Sequence, residues 1–431
     1  MSAKSVINAL PELVEAGLIT TETASAIEVY LEQKRDQTPN RLLLVFAILG
    51  ALLTGLGIIL IIAHNWDKYN QLTKTAFAFL PLIIGQLFAG FTILRKPGNV
   101  VWQEASSVFL TLAIGASISL VSQIYNLLGD LSSFLFWWTL LSLPLVYLLN
   151  SSMASLLFWC GATYFGCQAG YFDWSNVSSI SASYYWLFVL GGIPYYYLLV
   201  RRAPTGNFTN FHHFIVPISL VIMLGAEPRH HGSILLLAYM SLFGLLHLIG
   251  TWIKTWRSES NISGYQLAGK LGPIGILMWF SFLWAWGELH LDRLSWSVLA
   301  SAEFFWFSGL TLLSLGLMVW LKEKRGVNIF KPFNFLPLVF AFLFFLSMIN
   351  PFLSAILDNL LVLGLGIVTV VEGSRSNSVA TLNVGLLTLT ALLICRFFDL
   401  KIDFVVRGIL FIVVGVGFFL SNYWLIKKKK A

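Results

Sequence analysis

Charge is what this sequence lacks most. Only 11% of its 431 residues are Asp, Glu, Lys or Arg, whereas a soluble surface of this size needs roughly a quarter. Because 57% of the residues are hydrophobic, the shortage excludes a cytosolic enzyme, a fibrous chain and a disordered one. Cysteine is scarce too. Cys160, Cys167 and Cys395 lie in apolar stretches with no Cys-x-x-Cys and no histidine at ligand spacing, so they read as packing residues rather than a disulfide framework or zinc site. His-Glu-x-x-His and Gly-x-Ser-x-Gly are absent as well. No catalytic residue, cofactor or metal is expected. The net charge of +7 is spread between apolar runs rather than gathered in a patch, which points away from nucleic acid and leaves the lipid bilayer as the partner.

A hydrocarbon core about 30 Å thick needs about 20 apolar helical residues to cross. Apolar runs bounded by charge, Pro or Asn repeat along the chain from Leu42–Ile62 to Val405–Ile426. They predict an all-α polytopic membrane protein of about 14 spans, with 12 as the lower bound. The shortest runs are Phe211–Leu224, Phe333–Met348 and Ala355–Val371, and Asn350–Pro351 is read as a second option, a hairpin dipping into the membrane. Basic residues collect on the cytoplasmic side of short loops. With the amino terminus placed inside, 20 of the 27 Lys and Arg fall on that side and seven on the other, so both termini are expected in the cytoplasm. Trp66, Trp102, Trp174, Trp252, Trp256, Trp320 and Trp424 fall near span ends, as interfacial rings do.

Residues 1–41 have a different character. Val6, Leu10, Leu13 and Val14 repeat at helical spacing, Gly17 supplies a stop, and Thr20 or Thr21 opens a second helix, which together predict a cytoplasmic helical hairpin. The domain plan is therefore residues 1–41 as hairpin, 42–150 as the first four spans, 151–426 as the remaining bundle and 427–431 as a basic tail. No basic start with an apolar core and cleavage site precedes the first run, so that run is expected to stay as an anchor.

Polar groups in lipid mark function. No acidic or basic residue falls in the middle third of any run, which argues against a central ion-coupling carboxylate. The best constellation is Asn65, Trp66, Gln123, Tyr125 and Asp130, expected to converge on one outward-facing pocket for a lipid headgroup or small molecule, with Gln86 apart from them in the second span. The competing reading has Asn65 and Asp130 capping helices and Gln123 and Tyr125 bonding between them. Asp399 and Asp403, with Arg396, Lys401 and Arg407, read as a charged external loop. The pairs His212–His213 and His230–His231 fall on opposite faces and cannot share a metal.

The Leu13–Thr20 turn, the Gly-rich run Leu49–Asn70 with its Asn65–Trp66 pair, and Gln123-Ile124-Tyr125 followed by Gly129-Asp130 resemble DUF2157, a family of prokaryotic integral membrane proteins, over about residues 5–150. The resemblance implies a prokaryotic inner-membrane protein and carries no activity with it. Short loops put nearly all the mass in lipid, so the sequence reads as a transporter or flippase-like protein for a small or amphiphilic molecule, with a membrane scaffold or sensor second and an integral membrane transferase third.

Overall fold

The computed structural model describes residues 3–36, 66–172, 180–226, 232–256, 263–289, 296–376 and 378–399, with a few further positions between 405 and 419. Every regular element among them is helical, and eight of these helices are long and apolar enough to cross a membrane. The chemistry of lipid demands this: with no water to bond, each backbone N–H and C=O must be satisfied within its own helix. The chain divides into two compact units, residues 1–77 and 78–431.

In the first unit, α1 (Ala3–Glu15) and α2 (Thr21–Asp36) form the N-terminal pair. Gly17, at φ +69°, lets Leu18 N–H reach back to the Leu13 carbonyl at 3.0 Å, closing α1 with a Schellman turn. Thr20 then caps α2, its hydroxyl accepting from Thr23 N–H at 3.2 Å. A single 3₁₀ turn, Trp66–Lys68, leads into α3 (Gln71–Arg95), which is capped by the Asn70 side chain through Thr73 N–H at 2.8 Å. The run Leu42–Ile62 lies outside the described residues.

Residues 78–95 of α3 belong to the second unit, which continues with α4 (Val100–Ile124), α5 (Leu131–Leu148), α6 (Ser152–Gly170), α7 (Tyr185–Arg202) and α8 (Asn207–Leu224). It goes on through α9 (Gly232–Trp256), α10 (Gly264–Phe280), the short α11 (Leu283–Gly287) and α12 (Trp296–Leu299), then α13 (Ala302–Arg325), α14 (Pro332–Ser347), α15 (Pro351–Arg375) and α16 (Val379–Asp399). One core gathers Phe158, Trp159, Phe165, Tyr185 and Phe188 between α6 and α7. Another joins α10, α11, α14 and α15 through Leu277, Phe280, Trp286, Phe340, Phe344 and Val362.

Each apolar run read between Thr75 and Ile394 coincides with a helix, but two boundaries change the chemistry. Asn350 accepts from Leu353 N–H at 3.0 Å and Pro351 sits at the first helical position, so this pair opens a 25-residue helix rather than a dipping hairpin. Leu271–Trp286 reads in the sequence as one uninterrupted apolar run, but the helix is broken at Ser281–Phe282. The last run, Val405–Ile426, falls almost wholly outside the described residues.

Candidate functional site

Three helices build a groove in the first third of the second unit. Gly85 lets α3 approach α4, since a Cβ there would stand 3.3 Å from the Leu110 Cα. The Ser117 hydroxyl donates to the Ala78 carbonyl of α3 at 2.7 Å. On the other side Gly115 accommodates the Trp138 ring, whose indole N–H donates to the Thr111 carbonyl at 2.7 Å. Small residues and interhelical hydrogen bonds of this kind replace hydrophobic pressure inside lipid.

Between these contacts the helices leave a cavity of about 1300 Å³, larger than the ~300–1,000 Å³ usual for small-molecule sites. Its walls are mostly apolar, with Leu82, Leu110, Ile114, Leu141 and Leu145 along its length. Several of its polar groups gather where α4 ends and α5 begins, namely Ser122, Gln123, Asn126, Asp130 and Ser133, while Ser117, Ser119 and Gln86 line it as well. That end is shaped by a second Schellman turn. Asn126 takes φ +49° and Leu127 N–H bonds the Ser122 carbonyl at 3.0 Å, a conformation that Asn tolerates better than most side chains.

Gln123 and Asp130, two of the five residues singled out from sequence, therefore line one cavity. Gln86, expected apart from them, lines it too. Its place is about 22 Å along α3 at 1.5 Å per residue, where an amide in lipid needs a partner. Gln86 and Gln123 have no side-chain hydrogen-bond partner among the described residues, so both amides are offered to the groove. Tyr125 is half-exposed and is not among the lining residues, because it is the residue at which α4 stops and the chain turns. Trp66 belongs to the first unit, with the Lys74 ammonium 5.7 Å from its ring. Asn65 lies outside the described residues. Asp130 occupies the position before α5, yet its carboxylate accepts no backbone N–H there and takes the Ser133 hydroxyl instead. Its charge suits the positive end of α5.

A second polar cluster in this region is satisfied rather than open. Glu104 on α4 accepts Ser152 N–H and Met153 N–H, each at 2.9 Å, together with the Ser151 hydroxyl. Ser107 joins Ser151 at 2.6 Å, and Tyr195 meets Ser152 at 3.1 Å. His212 bridges the Phe208 carbonyl and the Ser155 hydroxyl, each at 2.8 Å, and His213 pairs with Tyr196. These histidines hold helices together, and no group of three metal-ligating side chains occurs among the described residues. Nothing in sequence spacing announced the Glu104 network, since its partners stand 47 to 49 residues away.

Residues 11–155 match the DUF2157 family model, described as a predicted membrane protein. The DUF2157 segment contains the whole groove, from Phe79 to Leu145, and both partners of the Glu104 network on α4 and α6. No curated protein and no solved structure matches the chain. Other charges singled out from sequence lie elsewhere. Arg396, expected in an external loop, is instead in the last turn of α16. Asp399 ends that helix, and Lys401, Asp403 and Arg407 fall outside the described residues.

Proposed function

We propose that this protein binds an amphiphilic, lipid-like molecule in the DUF2157 groove and moves it within or across the membrane as a transporter or flippase. The observation that carries this reading is the gathering of Ser122, Gln123, Asn126 and Asp130 at one end of a groove whose walls toward Leu145 are mostly apolar. Such a shape suits a headgroup with a tail, and the unpartnered amides of Gln86 and Gln123 await an acceptor or donor from that ligand. Native mass spectrometry of the detergent-purified protein tests it. The wild type is expected to retain one amphiphile of defined mass. Two hydrogen bonds at about 0.5–1.5 kcal/mol each make Gln86→Leu with Gln123→Leu reduce occupancy about tenfold, and Ile118→Trp is expected to abolish it by filling the trough. Equal lipid retention by all three proteins would refute the assignment.

The reading places the chain in a prokaryotic inner membrane with fourteen spans and both termini in the cytoplasm, on the strength of the segregated basic residues. Reporter fusions at Met1 and at Ala431 are expected to give the same cytoplasmic signal. Signals from opposite sides would require an odd number of spans and overturn the topology.

A further inference from the structure

The break between α10 and α11 lies beside a cluster of polar side chains from α15 and α16. From α15, Asn359 donates to the Ser281 carbonyl at 2.8 Å and to the Ala355 carbonyl at 2.7 Å. From α16, Arg396 donates to the Ser281 hydroxyl at 3.2 Å, and its guanidinium lies 4.8 Å over the Phe282 ring. Beside Asn359 is Asp358, which is 0% exposed, and neither of its carboxylate oxygens has a hydrogen-bond partner among the described residues. Trp286 of α11 is also buried, and its indole N–H has no hydrogen-bond partner among the described residues.

An ionised carboxylate in such a place would lack any hydrogen bond, and a buried charge left so costs several kcal/mol. Taken from Ala355, the apolar run puts Asp358 near a span end. The helix begins at Pro351, so Asp358 stands one turn deeper, about 10 Å into the helix. Buried acidic residues in membrane helices mark ion and proton paths, and discontinuous helices are where coupling sites are built.

The surroundings select among occupants. Hard cations require a shell of six or more oxygens, but the carbonyls at the break are already engaged. Ser281 C=O takes Asn359, Met278 C=O takes the Ser281 hydroxyl, and Trp279 C=O takes Phe282 N–H. A guanidinium close by opposes a metal further. A proton needs no such shell. The elements packed on α15 bring few other charges. α14 and α11 carry none, Glu288 follows α11, and α10 brings Lys270, which lies 4.0 Å from Glu372 far along α15. α16 brings Cys395 and Arg396, with Asp399 at its end.

We propose that Asp358 is a proton-binding site set against a hinge at Ser281–Phe282. In the arrangement described here the carboxyl oxygen holds the proton. Movement of α11 against α10 brings Arg396 to the carboxylate, the O–H bond breaks, and the proton passes to water. The site stands independently of the groove, and either assignment survives failure of the other.

Infrared difference spectroscopy of the full-length protein across a pH series tests this. A carboxylic-acid carbonyl band is expected in the wild type, retained in Asp130→Asn and lost in Asp358→Asn, a near-isosteric change that removes the buried charge. Arg396→Gln is expected to move the pH at which the band disappears by about one unit or more, a differential interaction of about 1.4 kcal/mol. Should Asp358→Asn fail to fold, wild-type protein carrying carboxyl-¹³C aspartate is expected to show the band displaced to lower frequency. A band untouched by Asp358→Asn, or by aspartate labelling, would overturn the proposal, and an unmoved titration in Arg396→Gln would overturn the counter-charge.

Discussion

Glu104→Ala is expected to lower folding stability by about 3–5 kcal/mol, enough to remove most of the ordered protein from a detergent extract. The carboxylate reaches from the first turns of α4 to the start of α6, where Ser152 and Met153 N–H have no partner inside their own helix. An anion at that end meets unbonded donors and the positive pole of the helix together. Hydrogen bonds to a charged group contribute about 1.5–3 kcal/mol each and are not additive. Alanine would also strand the Ser151 hydroxyl side, where Ser151 is fully buried and already bonded to Ser107 and to Ala154 N–H at 3.1 Å. Glu104→Gln, which keeps the length and loses the charge, is expected to cost about half as much. The exposed Glu323 on α13 is the control, and Glu323→Ala should move the melting midpoint by less than about 0.5 kcal/mol equivalent. Equal effects at the two positions would show that the α4–α6 cap does not matter.

Gly269→Leu is expected to be as damaging for a different reason. A Cβ at 269 would stand 2.5 Å from the His247 backbone nitrogen and 2.6 Å from its Cα. Those atoms belong to the α9 helix itself and cannot rotate aside, so α9 and α10 must separate along a crossing where Gly250 faces Gln266. Overpacking of this kind costs at least 1–3 kcal/mol, and a backbone clash places Gly269→Leu at or beyond about 3. Gly275 lies on the same helix with nothing within 4 Å of its would-be Cβ. There Gly275→Ala should stabilise by about 0.5–1 kcal/mol through helix propensity. Monodisperse yield and melting temperature of the two variants check this, and similar behaviour would mean the α9–α10 crossing is not close.

The membrane character of the chain was legible because it depends on composition and run length, which no tertiary contact can reverse. The turn at Gly17 and the cap at Thr20 were legible for a local reason, as both act within four residues. What escaped was set by distant partners. Ser281–Phe282 carries no Gly or Pro, and the helix breaks there where Asn359 and Arg396, 78 and 115 residues away, take up Ser281. Asp358 looked shallow because an Asn350 cap extends its helix toward the amino terminus. Gln86 looked separate because it stands midway along its run while the others sit near span ends, and sequence does not show that one cavity extends along α3 far enough to reach it. Tyr125 failed to join for the converse reason: the left-handed Asn126 turns the chain away just after it.

On this reading α3, α4 and α5 cradle an amphiphile. A cryo-EM map of the full-length protein in nanodiscs made from its native lipids would test it most directly. Elongated density is expected, with its polar end beside Gln123 and Asp130 and its tail along Ile114 and Leu141. A groove filled by the protein's own side chains, or one whose density is no more ordered than that of the annular lipid elsewhere on the bundle, would contradict it.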